Sequence, residues 1–212
     1  RTVLPAYIRS SLRKETAERP HIYLKDIPED MQTMLLKLFV DALLPLDSAG
    51  KLGVVLFQFP PWFFPGEENR GHILRMKEAM GQYRIAIEFR SNSWINEKNL
   101  ERTMRFLEDN RLPLVAADEP QGFKSSLPPA TAVTSSEYAL VRFHGRNKDN
   151  WEKKGITTTE RFRYLYSEEE LREWVPRIQE MAQKAEQVHV LMNNCYGDYA
   201  VRNASQLKSM FD

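Results

Sequence analysis

Five short apolar stretches, each ending in polar residues, recur along the chain at residues 53–59, 84–90, 112–118, 138–144 and 188–194. Four of them are separated by segments whose apolar residues return at helical spacing. That alternation is the signature of an α/β protein with a parallel sheet, since parallel strands need a crossover long enough to hold a helix. A length of 212 residues fits one domain, and 42% hydrophobic residues suffice for a packed core.

The helices announce themselves by stripe and cap. Residues 28–44 carry Met31, Met34, Leu35, Leu38 and Ala42 on one face, with Pro28 suited to a first helical position. A second helix is expected over 71–82. A third follows Trp94, with Asn96 as N-cap and Leu100, Met104 and Leu107 on one face. A fourth opens on the capping box Ser167 to Glu170 and runs on through Leu171, Trp174, Ile178 and Met181, with a kink or a late start expected at Pro176. The last, 200–211, is expected to bury Val201, Ala204, Leu207 and Phe211.

Two segments break the alternation. Residues 1–27 carry six basic residues (Arg1, Arg9, Arg13, Lys14, Arg19, Lys25) against three acidic ones with little periodicity, and read as a basic loop or arm ahead of a single domain over 28–212. Residues 145–166 form a loop about twice the usual strand-to-helix length, and long loops at that end of a strand commonly carry function.

A formal net charge of +1 argues against a protein that holds nucleic acid by bulk charge. No apolar run approaches the roughly 18 residues of a membrane helix. The single cysteine, Cys195, forbids a disulfide within the chain and a multi-cysteine metal cluster, which points to a reducing, cytoplasmic location.

Side chains two apart share a face of a strand. In 84–90, Ile85, Ile87 and Phe89 form an apolar face for helices, so Glu88 and Arg90 point the other way. The same count turns Arg142 and His144 inward, sets Gln58 with Leu56, groups Asp118 with Ala116, and leaves one of Asn193 and Asn194 facing in. Singly, each has a structural reading. Glu88 with Arg90 would make a buried ion pair, His144 a satisfied core histidine, Gln58 and the asparagines loop ties, and Asp118-Glu119-Pro120 a cap or turn. Together they place polar groups at the carboxyl ends of all five strands, where α/β folds build their sites.

The motifs QFPPWF (58–63), AIEFRSNSW (86–94), ADEPQ (117–121), LVRFHGRNKDNW (140–151), YLY with EEL (164–171) and NNCYGDYAVRNA (193–204) resemble the YecE-like family, domain of unknown function 72. The resemblance runs in order from about Lys51 to the C-terminus. It implies a TIM-barrel-like fold in which these are the fourth to eighth strands. The family's first three βα units are not visible in this sequence, and the expectation is that further residues, rather than a partner chain, complete the barrel. Cys195 and Tyr196 also stand where the family tends to have small residues and glycine.

Arg90 and Arg142 supply planar donor forks suited to carboxylate or phosphate, and Gly197 leads into a helix N-terminus that suits an anion. A small anionic substrate is therefore the expected partner, with Glu88 or Asp118 as general base and His144 as acid or base. Trp94 at the rim and Asn147, Trp151, Tyr164 and Tyr166 on the long loop are expected to contact the substrate. Divalent-metal chemistry on Glu88, Asp118 and His144 ranks lower because the arginines oppose a cation; no metal ligand set or cofactor is assigned. A third reading, a nucleic-acid or ligand-binding module without turnover, uses the basic arm and the aromatics Trp62, Phe63, Phe64, Trp94 and Trp151; its alternative is that these aromatics pack loops on the rim.

Overall fold

The computed structural model describes residues 6–19, 22–23, 26–123 and 125–211. Contacts divide it into two units, one of residues up to 53 together with 71–84, the other of 54–70 together with 85 onward.

In the first unit, helices α1 (Ala6–Ser11) and α2 (Lys14–Ala17) occupy the segment expected to be a loop or arm. Ile8, Leu12 and Ile27 are buried there, apolar anchors that the charge count concealed. Arg1 and Lys25 of the basic set lie outside the described residues. Helix α3 (Glu29–Ser48) takes Pro28 as its N-cap, with ψ at 147°, and runs on through Pro45. The expected stripe is not a buried one. Met31 and Leu35 are half-buried, whereas Met34, Leu38 and Ala42 are exposed.

In the second unit β1 (Val55–Gln58) leads to α4 (Glu67–Met80), whose later turns belong to the first unit. The helix begins at the acidic pair Glu67 and Glu68, which complements the positive end of its dipole, so it starts before the expected Gly71. Strand β2 (Ile85–Glu88) is followed by α5 (Leu100–Asp109). Asn99, not Asn96, stands at the N-cap of α5, and the Asn96 side chain accepts the Asn99 N–H at 3.1 Å in the preceding turn. Strands β3 (Val115–Asp118) and β4 (Tyr138–Phe143) come next, then the short helices α6 (Thr158–Arg161) and α7 (Glu168–Arg172). The capping box at Ser167 is present. Beyond it the helix breaks, and α8 (Val175–Ala182) restarts with Pro176 in its first turn, where a missing N–H costs no helical bond. Strand β5 (Gln187–Met192) and α9 (Tyr199–Lys208) complete the order.

β1 pairs with β2, and β3, β4 and β5 pair in that order, all parallel. A parallel bridge between Ile87 and Leu114 sets β2 beside β3, with the Ile87 N–H donating to the Pro113 carbonyl at 2.8 Å. Strand order thus follows sequence order. Among the described residues no pairing joins β5 to β1, so no closed barrel is formed. None of the described helices is long and apolar enough to cross a membrane.

One face of the β3–β5 sheet packs Ala116, Val141 and Phe143 against Tyr166, Leu171, Trp174, Ile178, Met181 and Leu207. The other carries Ala86, Val115, Tyr138 and Leu140, with Val54 and Leu56 beside them. In α9 the inward positions are Asn203 and Leu207, while Val201 and Ala204, and Phe211 beyond the end of the helix, are exposed, contrary to expectation. Asn203 wins an inward place by bonding both backbone groups of Tyr166, at 3.1 and 3.0 Å, which an apolar-periodicity count cannot register.

Candidate functional site

The strand register decides which polar side chains meet. Gln58 lies opposite Glu88, and Ala117 opposite Arg142. Glu88 is the centre. Its Oε2 accepts from Arg142 Nη1, its Oε1 lies 3.0 Å from His144 Nε2, and Arg90 Nη1 approaches Oε1 at 3.4 Å. Arg142 Nη1 also donates to Gln58 Oε1 at 3.2 Å. Asn193 Nδ2 lies 3.0 Å from His144 Nδ1, so the amide donates there and Nε2 carries the imidazole proton toward Glu88. Of the two expected asparagines, Asn193 therefore faces in. Glu88 and His144 are wholly buried, Arg90 and Arg142 nearly so.

Burial alone would push the Glu88 carboxyl up, but the His144 hydrogen bond and the Arg142 charge overrule it and hold it at about 2. Burial lowers His144, with Arg90 and Arg142 adding to the effect, so the imidazole is neutral beside the Glu88 carboxylate. Both of its nitrogens are occupied. It holds Glu88 through one of them, and in this arrangement neither is free for the acid or base role expected of it. Glu88, held so far below neutrality, is likewise a poor general base and serves as the anchor of two guanidiniums.

Asp118 does not join this cluster. It lies opposite Phe143, on the helix-covered face, where it accepts from Arg146 Nε and Nη2, Tyr166 Oη at 2.7 Å and Trp174 Nε1 at 2.7 Å. The expectation that Asp118 points inward is corrected by one residue: Glu119 takes that place. Glu119 Oε2 lies 2.9 Å from Arg90 Nη1, and Oε1 accepts the Leu127 N–H at 2.7 Å. Burial pushes its carboxyl up to about 7, only partly offset by Arg90. The slip has a physical cause: both faces of 112–118 are apolar, so alternation leaves no mark of which face is inner.

The remaining expected contacts divide. Trp151 covers the site, its ring centroid 4.8 Å from Arg90 Cζ, with Phe162 5.7 Å from the His144 ring. Arg161 ties this loop by donating to the carbonyls of Asn150, Trp151 and Lys153. Trp94 is fully buried on the opposite face, stacked 4.2 Å from Phe89 and donating Nε1–H to the Phe63 carbonyl, so it belongs to packing. Asn147 ties loop carbonyls, Tyr164 bonds Glu170 at 2.6 Å, and Tyr166 bonds Asp118 and accepts the Gly145 N–H. Asn194 bonds the Tyr164 carbonyl and Asn203. These four hold loops rather than line the site. Arg146, missed in the sequence, is the hub of that outer network, with Glu173 at 2.9 Å. Burial disfavours its charge, yet Asp118 and Glu173 overrule that and raise its pKa. A cleft of about 300 Å³ opens beside it, lined by Asp118, Glu119, Lys148 and Arg177 among others.

With this geometry in view, the family model described as "Protein of unknown function DUF72" matches residues 15–212. The chain belongs to the DUF72 family. This is the YecE-like family whose motifs the sequence carries. Among DUF72 relatives, UPF0759 protein YunF of Bacillus subtilis (strain 168) is 36% identical over 190 residues, covering 88% of this chain and 67% of YunF. A DUF72 protein of Thermotoga maritima superposes with a TM-score of 0.75 at 34% identity, covering 84% of this chain and 65% of that one. One from Enterococcus faecalis gives 0.78 at 30% identity, with the same coverages. The chain thus spans about two thirds of the length of these DUF72 relatives.

Proposed function

We propose that the chain is the C-terminal portion of a TIM-barrel-like domain, and that its strand ends bind a small substrate bearing a carboxylate or phosphate for acid/base chemistry. Strand order that follows sequence order, all parallel, supports the fold reading. The observation that carries the binding reading is how the two arginines are used. Each guanidinium is anchored to Glu88 through Nη1 alone, and among the described residues no other nitrogen of Arg90 or Arg142 is claimed or sealed from water. A planar fork held at one corner presents its remaining N–H groups to an oxyanion. The single cysteine, unpaired, supports a cytoplasmic location for this chemistry.

Calorimetric titration with sulfate and acetate tests the reading. Binding by the wild-type chain at pH 6 that disappears in Arg142→Ala is the expected result. Equal affinity in the two proteins overturns it.

A further inference from the structure

We propose that Glu119 carries the exchangeable proton of the strand-end site, and that an anion docking on Arg90 and Arg142 is bound together with that proton. The inference rests on the anion-binding reading above.

The two inner carboxyl groups share Arg90, whose Nη1 lies 3.4 Å from Glu88 Oε1 and 2.9 Å from Glu119 Oε2. Their hydrogen bonding differs. Both oxygens of Glu88 are filled, by His144 and Arg142. Glu119 Oε1 is filled by the Leu127 amide, but Oε2 is buried and receives no hydrogen bond: the Arg90 charge is near, yet no N–H is aimed at the oxygen. Of the four carboxyl oxygens, Glu119 Oε2 is the one with room for a hydrogen. The charged groups around it are Arg90 and Glu88 at the end of β2, its neighbour Asp118, and Arg146, Lys148, Glu173 and Arg177, which line the same cleft. Arg90 favours the ionised form, while burial, Glu88 and Asp118 oppose it. An anion seated on the guanidiniums adds another negative charge to this group. The balance is simple: one proton leaves solvent and forms the Oε2–H bond as the anion enters, and Glu119 in its acid form donates toward the ligand. Glu119 then stands ready to return that proton to a reacting oxygen, which makes it the acid the site otherwise lacks.

Sulfate and acetate keep a constant charge from pH 6 to 9, so any proton taken up on binding belongs to the protein. Calorimetry in two buffers of different ionisation heat is expected to show affinity falling toward about tenfold per pH unit above neutrality, with proton uptake. Glu119→Gln, which fixes a neutral side chain, is expected to bind without a pH slope. The wild-type slope persisting in Glu119→Gln, or a wild type with no slope, overturns the inference. Carbon-13 NMR of the Glu119 carboxyl in the ligand-free wild-type chain is independent of the variant's folding. Titration in the ordinary carboxylate range overturns the inference even if anions bind. Titration near neutrality with neither probe bound at pH 6 overturns the anion reading and leaves the protonated acid standing.

Discussion

Ala117 of β3 lies directly opposite Arg142 of β4, and this pairing sends Asp118 to the helical layer and Glu119 to the strand-end site. The two adjacent acids should therefore respond oppositely to substitution. Asp118→Asn strips the charge that faces Arg146 and is expected to cost about 3 kcal/mol of stability while sulfate binding survives. Denaturant unfolding and calorimetry on the same sample check it; a stable, non-binding Asp118→Asn would contradict the register.

Glu88 joins two guanidiniums and an imidazole, all nearly dry. Glu88→Ala leaves Arg90 and Arg142 without their shared carboxylate and is expected to destabilise by roughly 3–5 kcal/mol. For a chain of this size that corresponds to a fall in Tm of about 6–20 °C. Thermal unfolding measures it, and an unchanged Tm would show that the ion pairs are not formed.

Stability should depend on pH through two carboxyls of opposite sign. Glu88, at about 2 in the folded chain against an ordinary 4.5, contributes stability above the ordinary value, lost as pH falls toward 2. Glu119, at about 7 when folded, contributes stability that is fully present below 4.5 and is lost as pH rises to 7, on the order of 3 kcal/mol. Glu119→Gln should flatten the unfolding free energy between pH 4.5 and 7 and leave the acid limb unchanged. A descending limb that survives in that variant would count against the assignment.

Gly145 sits at φ +90°, and an added Cβ would come within 2.7 Å of Tyr164 Cβ. Gly145→Ala is expected to cost more than about 1 kcal/mol and to loosen the loop that carries Trp151, since the Gly145 N–H also anchors on Tyr166 Oη. Denaturant unfolding with tryptophan fluorescence reads both effects.

Arg142→Lys tests the fork itself. It keeps the charge and loses the planar donors, so sulfate affinity should drop while the fold persists. Equal affinity in calorimetry would reduce the site to simple charge attraction.

The five strands were legible because each is a short apolar run with a polar end, and Gln58, Glu88, Arg90, Arg142 and His144 met as counted because Glu88 and His144 mark an inner face opposite plainly apolar outer ones. β3 carries no such mark, and Asp118 was misplaced. Trp94 and Tyr166 were misread for a related reason: an aromatic residue on a loop beyond a strand looks the same in sequence whether it roofs a pocket or packs beneath a helix. Asn203 and Arg146 act through hydrogen bonds across more than 20 residues of chain, which no local pattern encodes.

Beneath the charged strand ends, Ala86, Val115, Tyr138 and Leu140 form a largely apolar layer. That layer limits depth. On the proposed reading, an acid would seat its head group at the level of Glu88 and Arg142, and whatever is attached to that head would trail outward past Trp151. Selection would then fall on the head, and tails of differing length or chemistry would be accepted alike.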